Sequence, residues 1–339
     1  MTASDTPSPE RNPAASTAAA THWIKHLAVS LGFDLVGVAP AGRFAHADAF
    51  VTWLQAGRAG TMHYMHRSAE QRVDPTQLLA GARSVIAVAC SYNTRHAGTH
   101  SPAAEPDPSR PGRIAHYALG DDYHEVVRPR LHALADAIRQ QFPGEQTRCC
   151  VDTAPILERE AAALAGLGWI GKNTCLVNPQ WGSWLVLGEM VTTLALEPDS
   201  PMPDFCGTCT RCINACPTGA IVAPHELDAR KCISYLTLEH RDPLTGPQRP
   251  QIGNWLVGCD LCQDACPWNQ RARISSRAEF NSRFEDDRFD PQAVLQWTEQ
   301  DYRQATRGSA TRRVKLPVLK DRAQAVIENT ADDHSKPRK

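Results

Sequence analysis

Apolar positions recur at helical spacing from Thr21 to Leu31, pause at Gly32, and continue as an unbroken run from Phe33 to Ala39. The first pattern predicts a helix and the second a buried strand. Val85 to Ala89 reads as another buried strand, and Val126–Phe142 and Ile156–Leu167 as helices. The residues around Val151 form a short strand between those helices, and Trp184 to Leu196 gives one or two further strands. Helices alternating with short apolar strands predict an α+β or α/β domain over residues 19–197. Before it, residues 1–18 form a tail of Pro, Ala, Ser and Thr with too little apolar surface to order itself. The stretch from Arg95 to Arg113, rich in Pro, Ser and His, reads as a surface loop. Pro198, Pro201 and Pro203 mark a linker. A cysteine-rich domain over 198–270 and a basic, helical segment over 271–339 follow.

A chain of 339 residues has room for two or three domains and at least one sizeable core. Its net charge of -1 conceals a local imbalance. From Arg303 to Arg322, Arg303, Arg307, Arg312, Arg313, Lys315, Lys320 and Arg322 face only Asp321. Such a run is either a solvated helix face or an attractor for a phosphate backbone. The longest apolar stretch, Trp184 to Leu196, is interrupted by Glu189 and falls short of the roughly 20 residues a bilayer needs. No apolar secretory segment or twin-arginine signal precedes the first helix, which predicts a cytosolic protein in a reducing compartment.

The cysteines turn this outline into chemistry. Cys206, Cys209, Cys212 and Cys216 form C-x2-C-x2-C-x3-C before Pro217, the bacterial ferredoxin run. Cys259, Cys262 and Cys266 before Pro267 repeat it with one ligand short, and Cys232 lies between the runs as the replacement. The fourth cysteine of such a run ligates the other cluster. The expected sets are therefore Cys206, Cys209, Cys212 and Cys266 for one 4Fe-4S cluster, and Cys216, Cys232, Cys259 and Cys262 for the second. Zinc sites favour two separated C-x-x-C pairs and fit a triple run poorly. Cys90, Cys149, Cys150 and Cys175 lie among apolar residues and read as buried structural thiols.

Two further motifs mislead. Gly166, Gly168 and Gly171 spell G-x-G-x-x-G, but they end a helix where a dinucleotide fingerprint must open one. The overlapping Gly166-x4-Gly171-Lys172 lacks the Ser or Thr of a phosphate loop, having Asn173 there. Asp122-x-His124-x-x-Val127 approaches a cobalamin-binding pattern in which the last position is glycine. Valine there favours reading Asp122 and His124 as cap and surface residues of the next helix.

The ordered run Val151-Asp152-Thr153-Ala154-Pro155-Ile156-Leu157-Glu158-Arg159, then Gly168-Trp169-Ile170-Gly171-Lys172-Asn173, then the two cysteine runs, resembles the epoxyqueuosine reductase family. Glu70 to Pro75, Tyr117 to His124, Arg230 to Thr237 and Gly258 to Asp260 add to the match, which covers about residues 20–270. The resemblance implies a cytosolic enzyme carrying cobalamin and two 4Fe-4S clusters. It would reduce the epoxide of epoxyqueuosine at the wobble position of tRNA, the last step of queuosine synthesis. Asp152 matches the proton donor, and its apolar neighbours are expected to raise its pKa. On residues alone, Asp152 reads first as a cap of the helix beginning near Pro155, a role Thr153 could also fill. The resemblance further implies that Arg72, Asn173, Leu176, Leu187, Ser234 and Asp260 line the cobalamin. Ala115 stands where some relatives carry a cysteine over the cofactor. Lys172, Arg241, Arg312 and Arg313 are candidate phosphate contacts to the RNA.

The expected partners are a tRNA anticodon loop and an external one-electron donor such as a flavodoxin or ferredoxin. A monomer is expected. Longer relatives continue into helical repeats, whereas this sequence ends soon after Ile327. The competing readings are a reductive dehalogenase, disfavoured by the missing export signal and the basic segment, and a non-catalytic electron carrier, which would take up no cobalamin.

Overall fold

The computed structural model describes residues 17–94, 111–284 and 287–334. Most of the expected tail and most of the 95–113 loop lie outside the described residues. The first part of the chain gives helix α1 (Thr17–Ser30) and strands β1 (Leu35–Pro40) and β2 (Ser84–Ser91). Helix α2 (Tyr123–Gln141), strand β3 (Thr147–Cys150), helix α3 (Glu158–Leu164) and strand β4 (Leu185–Thr192) follow. The strands stand in the order β1-β2-β4-β3, and every neighbouring pair is antiparallel. The architecture is thus the α+β form of the sequence expectation. With all three pairings of this sheet antiparallel, it holds no parallel crossover of the kind an α/β reading requires.

Alternation along β4 explains how the sheet is buried on both faces. Val186 and Met190 point to one face, where Val127, Leu131 and Ile138 of α2 and Ile24 of α1 meet them. Val191, with Val85, Ala87 and Ala89 of β2, points to the other, against Ala161 and Ala162 of α3. Full burial of each large aliphatic side chain contributes roughly 1.5–3 kcal/mol. Helix α3 lies so close to the sheet that a Cβ on Gly37 would stand 2.0 Å from the Ala165 carbonyl oxygen. Glu189 shares the α3 face of β4 and is completely buried.

A second core forms around the short strand Trp255–Val257, with Leu236, Leu319 and Val326, and it also takes in Leu54 and Met62. Trp255–Val257 pairs in parallel with Arg113–Ile114. Beyond that pairing, the Ala115 N–H donates to the Val257 carbonyl at 2.7 Å, and the His116 N–H donates to Asp260 Oδ2 at 2.7 Å. Gly258 has φ +71°, and a Cβ there would come within 2.5 Å of the Ala115 Cβ. The second cysteine run is therefore sewn directly to the sheet domain. Among the described residues no helix is long and apolar enough to cross a membrane.

A candidate active site beside two cysteine quartets

Asp152 lies on the turn between β3 and α3 with φ +50°, left-handed backbone that few non-glycine residues adopt. Helix α3 begins at Glu158, so Asp152 does not cap it. Its N–H donates to Glu158 Oε1 at 2.5 Å. Its Oδ2 is 3.3 Å from His124 Nε2, and His124 Nδ1 is 2.8 Å from Asp122 Oδ1. Asp122 does cap α2, accepting the His124 N–H. His124, expected at the surface, is instead an imidazole held between two carboxylates. The side chain of Asp152 is 41% exposed and that of His124 only 18%.

This arrangement corrects the expected ionisation of Asp152. Burial pushes its carboxyl up, but the hydrogen bond and charge of His124, helped by Arg313 and Tyr123, prevail and hold it below the usual carboxylate range. The proton resides on His124 instead. Burial opposes the imidazolium, yet Asp122 and Asp152 together raise it to about 9. Facing Asp152, Tyr64 is pushed up to about 12 by burial and by the charge of Glu239. Arg313 pairs with that glutamate, Nε to Oε1 at 2.7 Å.

The residues expected around cobalamin are drawn from both sides of the seam. Arg72 is buried, not the surface charge its composition suggests, and its Nε has no hydrogen-bond partner among the described residues. Leu176 and Asn173 are buried; Leu187 and Ser234 are partly so. Asn173 Oδ1 accepts the Cys175 N–H at 3.3 Å, and its Nδ2 points to the Cys262 carbonyl at 3.5 Å. Asp260 is 1% exposed; one oxygen takes the His116 N–H, and Oδ1 has no partner among the described residues.

The charges acting on the thiols follow the expected sets in part, with Cys175 acting on Cys266 of one set and on Cys232 and Cys262 of the other. Cys212 feels Cys266, Cys206 and Cys209, and Cys266 feels Cys206. Cys259 feels Cys232 and Cys216, and Cys262 feels Cys259 and Cys232. Among the described residues no group of three or more Cys, His, Asp or Glu is placed to hold a single ion. The trio Trp169, Phe205 and Trp268 walls the first group, with the Trp169 Nε1–H donating to Cys206 Sγ at 3.5 Å. Cys90 and Cys150 are buried as expected, while Cys149 and Cys175 are only partly so.

The basic residues divide. Arg312 is exposed, and Arg313 and Arg241 stand together, the Arg241 guanidinium donating to the Arg313 carbonyl at 2.9 Å. Lys172, expected at a phosphate, instead donates to the Gly207 and Cys209 carbonyls at 2.6 and 3.0 Å and braces the first cysteine loop. Arg322 is fully buried and donates to the carbonyls of Leu236, His240 and Asp242. Sequence reasoning missed Glu158 and Glu189 behind Asp152. The available signal was Glu189 itself, a carboxylate interrupting an apolar strand on its buried face.

Comparison with known proteins agrees with this picture. Residues 72–153 match the family model for epoxyqueuosine reductase QueG, and residues 205–269 match that for a 4Fe-4S double cluster binding domain. The epoxyqueuosine reductase of Gloeobacter violaceus is 43% identical over 91% of this chain and 96% of its own. That of Xanthomonas campestris is 41% identical over 86% of this chain and 81% of its own. A solved epoxyqueuosine reductase bound to an epoxyqueuosine-modified tRNA-Tyr stem loop superposes with TM-score 0.82 at 30% identity, over 93% of this chain and 82% of that one. A Bacillus subtilis reductase, solved with its catalytic aspartate loop swung out of the active site, matches equally well, with TM-score 0.82 at 30% identity and the same coverage of both chains. With identity this high over nearly the whole length of such relatives, the chain belongs to the epoxyqueuosine reductase family.

Proposed function

We propose that this chain reduces the epoxide of epoxyqueuosine to queuosine at the wobble position of tRNA, in the cytoplasm. The observation that carries the reading is the Asp122–His124–Asp152 line, which opens onto the seam between the sheet domain and the double-cluster domain. Removing an epoxide oxygen as water consumes two electrons and two protons and leaves an alkene. The seam has an electron source on one side and a proton source on the other.

Cobalamin fits the residues present. The buried, unpartnered Arg72 Nε and Asp260 Oδ1 would each cost about 1–3 kcal/mol if left without a hydrogen-bond partner, and a corrin edged with amides offers such partners. Arg72, Asp152, Asn173, Leu176, Leu187, Ser234 and Asp260 would hold it. Bound there, the cofactor supplies the strongly reducing centre that opens the epoxide.

The chain's own groups supply the rest. The His124 imidazolium passes its proton across the 3.3 Å contact to Asp152, which delivers it to the departing oxygen, and solvent reprotonates His124 for the second proton. Asp122 fixes the imidazole orientation and favours its charged form. Two 4Fe-4S clusters held by the eight cysteines would supply one-electron transfer from an external flavodoxin or ferredoxin. The ligand sets are Cys206, Cys209, Cys212 and Cys266, and Cys216, Cys232, Cys259 and Cys262. Arg241, Arg312 and Arg313 on the rim offer contacts to anticodon-loop phosphates, while the wobble nucleotide turns out into the seam. The chain works as a monomer.

The test is Asp152→Ala. The variant should assemble both clusters and take up cobalamin, yet leave epoxyqueuosine in an anticodon stem-loop unreduced. Full turnover by that variant would remove Asp152 from the reaction.

A further inference from the structure

Behind Asp152 the fold buries two carboxyl groups that proton delivery does not use. Glu158 opens α3 and is half-buried; Glu189 lies on β4, opposite Ala87 of β2 and Cys150 of β3, and is wholly buried. The two carboxyls act on one another, Glu189 favouring the charged form of Glu158 and Glu158 opposing that of Glu189. Two carboxylates have no proton between them to share, so a favourable contact between them needs the pair to hold at least one. Neither Glu189 oxygen has a hydrogen-bond partner among the described residues, and a wholly buried carboxyl without one is held in its protonated form by the cost of burying a charge. Glu158 Oε1 in turn accepts the Asp152 N–H at 2.5 Å, at the one point of the turn with left-handed backbone.

We propose that Glu158, backed by a protonated Glu189, is a latch that holds the strained Asp152 turn in its reactive position, and that losing this proton releases it. Both are positioning residues, since neither reaches the substrate. The proposal rests on the reading of Asp152 as proton donor. Strained backbone at a functional residue persists only when its surroundings hold it, and a single strong hydrogen bond from the peptide N–H to a carboxylate can do so. A catalytic loop able to swing away, as in the Bacillus subtilis relative, needs such a fastening.

The charges around the pair set the sign of its response. The charge of Asp152 opposes ionisation of Glu158, whereas the Asp152 N–H, Arg159 and Glu189 favour it; Glu158 and Asp152 oppose ionisation of Glu189. Arg72, Tyr123 and Cys150 also sense the pair. Burial comes first in both residues and pushes both carboxyls up. The proton is therefore retained in mildly acidic solution and lost in alkaline solution, where two adjacent anions repel.

Hydrogen exchange of the peptide spanning residues 151–157, corrected for intrinsic rates, reads the latch directly in cluster-loaded protein. In the wild type, protection should fall at least about tenfold from mildly acidic to alkaline pH, the loss of one hydrogen bond to a charged group. Glu158→Ala should lack it at both pH values. Glu158→Gln keeps an acceptor without a charge, and Glu189→Gln keeps a donor that cannot ionise; both should stay protected throughout. Glu158→Ala should also lower kcat with little change in KM, and Glu158→Gln should rescue it. Equal protection in wild type and Glu158→Ala would overturn the latch, as would protection in Glu189→Gln that fell with pH as in the wild type. Exchange is measured without turnover, so failure of the donor reading, seen as activity in Asp152→Ala, remains a separate result.

Discussion

His124 is the group whose charge state sets the behaviour of the site. Raised from 6.5 to about 9 by burial's opponents Asp122 and Asp152, it is an imidazolium at neutral pH. A group that binds its proton more tightly when folded stabilises the fold fully below the unfolded value, and that stability is lost as pH rises through the folded one. Unfolding free energy should therefore decline between about pH 6.5 and about pH 9. His124→Gln should remove that part of the slope in denaturant titrations, and an unchanged slope would place the proton elsewhere. The same variant should slow turnover by roughly 100-fold or more, as loss of an acid–base partner does. Asp152 was legible only through its ordered neighbours Val151 and Thr153 to Arg159. Its depressed pKa was not, because the decisive partner lies far away in sequence and hydrophobic company alone argues for the opposite shift.

Elements carry the site by pairing. The antiparallel sheet brings β3 and its Asp152 turn against β4, while the parallel pair Arg113–Ile114 with Trp255–Val257 brings the second cysteine run alongside. Periodicity disclosed most of this sheet, since Val85–Ala89 falls within Ser84–Ser91 and Val126–Phe142 overlaps Tyr123–Gln141. Strand direction was not disclosed, because an apolar run looks the same in parallel and antiparallel pairing. The cysteine spacing proposes the two quartets, since each run gives its first ligands to one cluster and its last, Cys216 or Cys266, to the other, and Cys232 is brought from outside both runs. Cys232→Ala should accordingly lower bound iron from about eight to about four per chain. Unchanged iron would refute the assignment. At the basic segment the reading by charge alone failed for Arg322, whose guanidinium serves three backbone carbonyls. Arg322→Ala should destabilise the fold by about 3 kcal/mol or more in urea titration, by stranding those buried acceptors.

At the scale of the whole molecule, the proposed reaction sets the clusters, the acid and the basic residues around one seam between the sheet domain and the double-cluster domain. Arg312, Arg313 and Arg241 project where an RNA backbone could lie, whereas Lys172 and Arg322 are spent on structure. Affinity for an anticodon stem-loop should fall steeply with salt, and Arg312→Ala should reduce the slope of log K against log salt by about one. An unchanged slope would move the RNA off this rim. The central claim is that reducing equivalents and a proton meet an epoxide in that seam. Its most direct measurement is mass analysis of the nucleosides from an anticodon stem-loop carrying epoxyqueuosine, after incubation with the cluster-loaded chain, cobalamin and a strong one-electron reductant. The account predicts queuosine, lighter by one oxygen; recovery of intact epoxyqueuosine from protein holding both clusters and the corrin would contradict it.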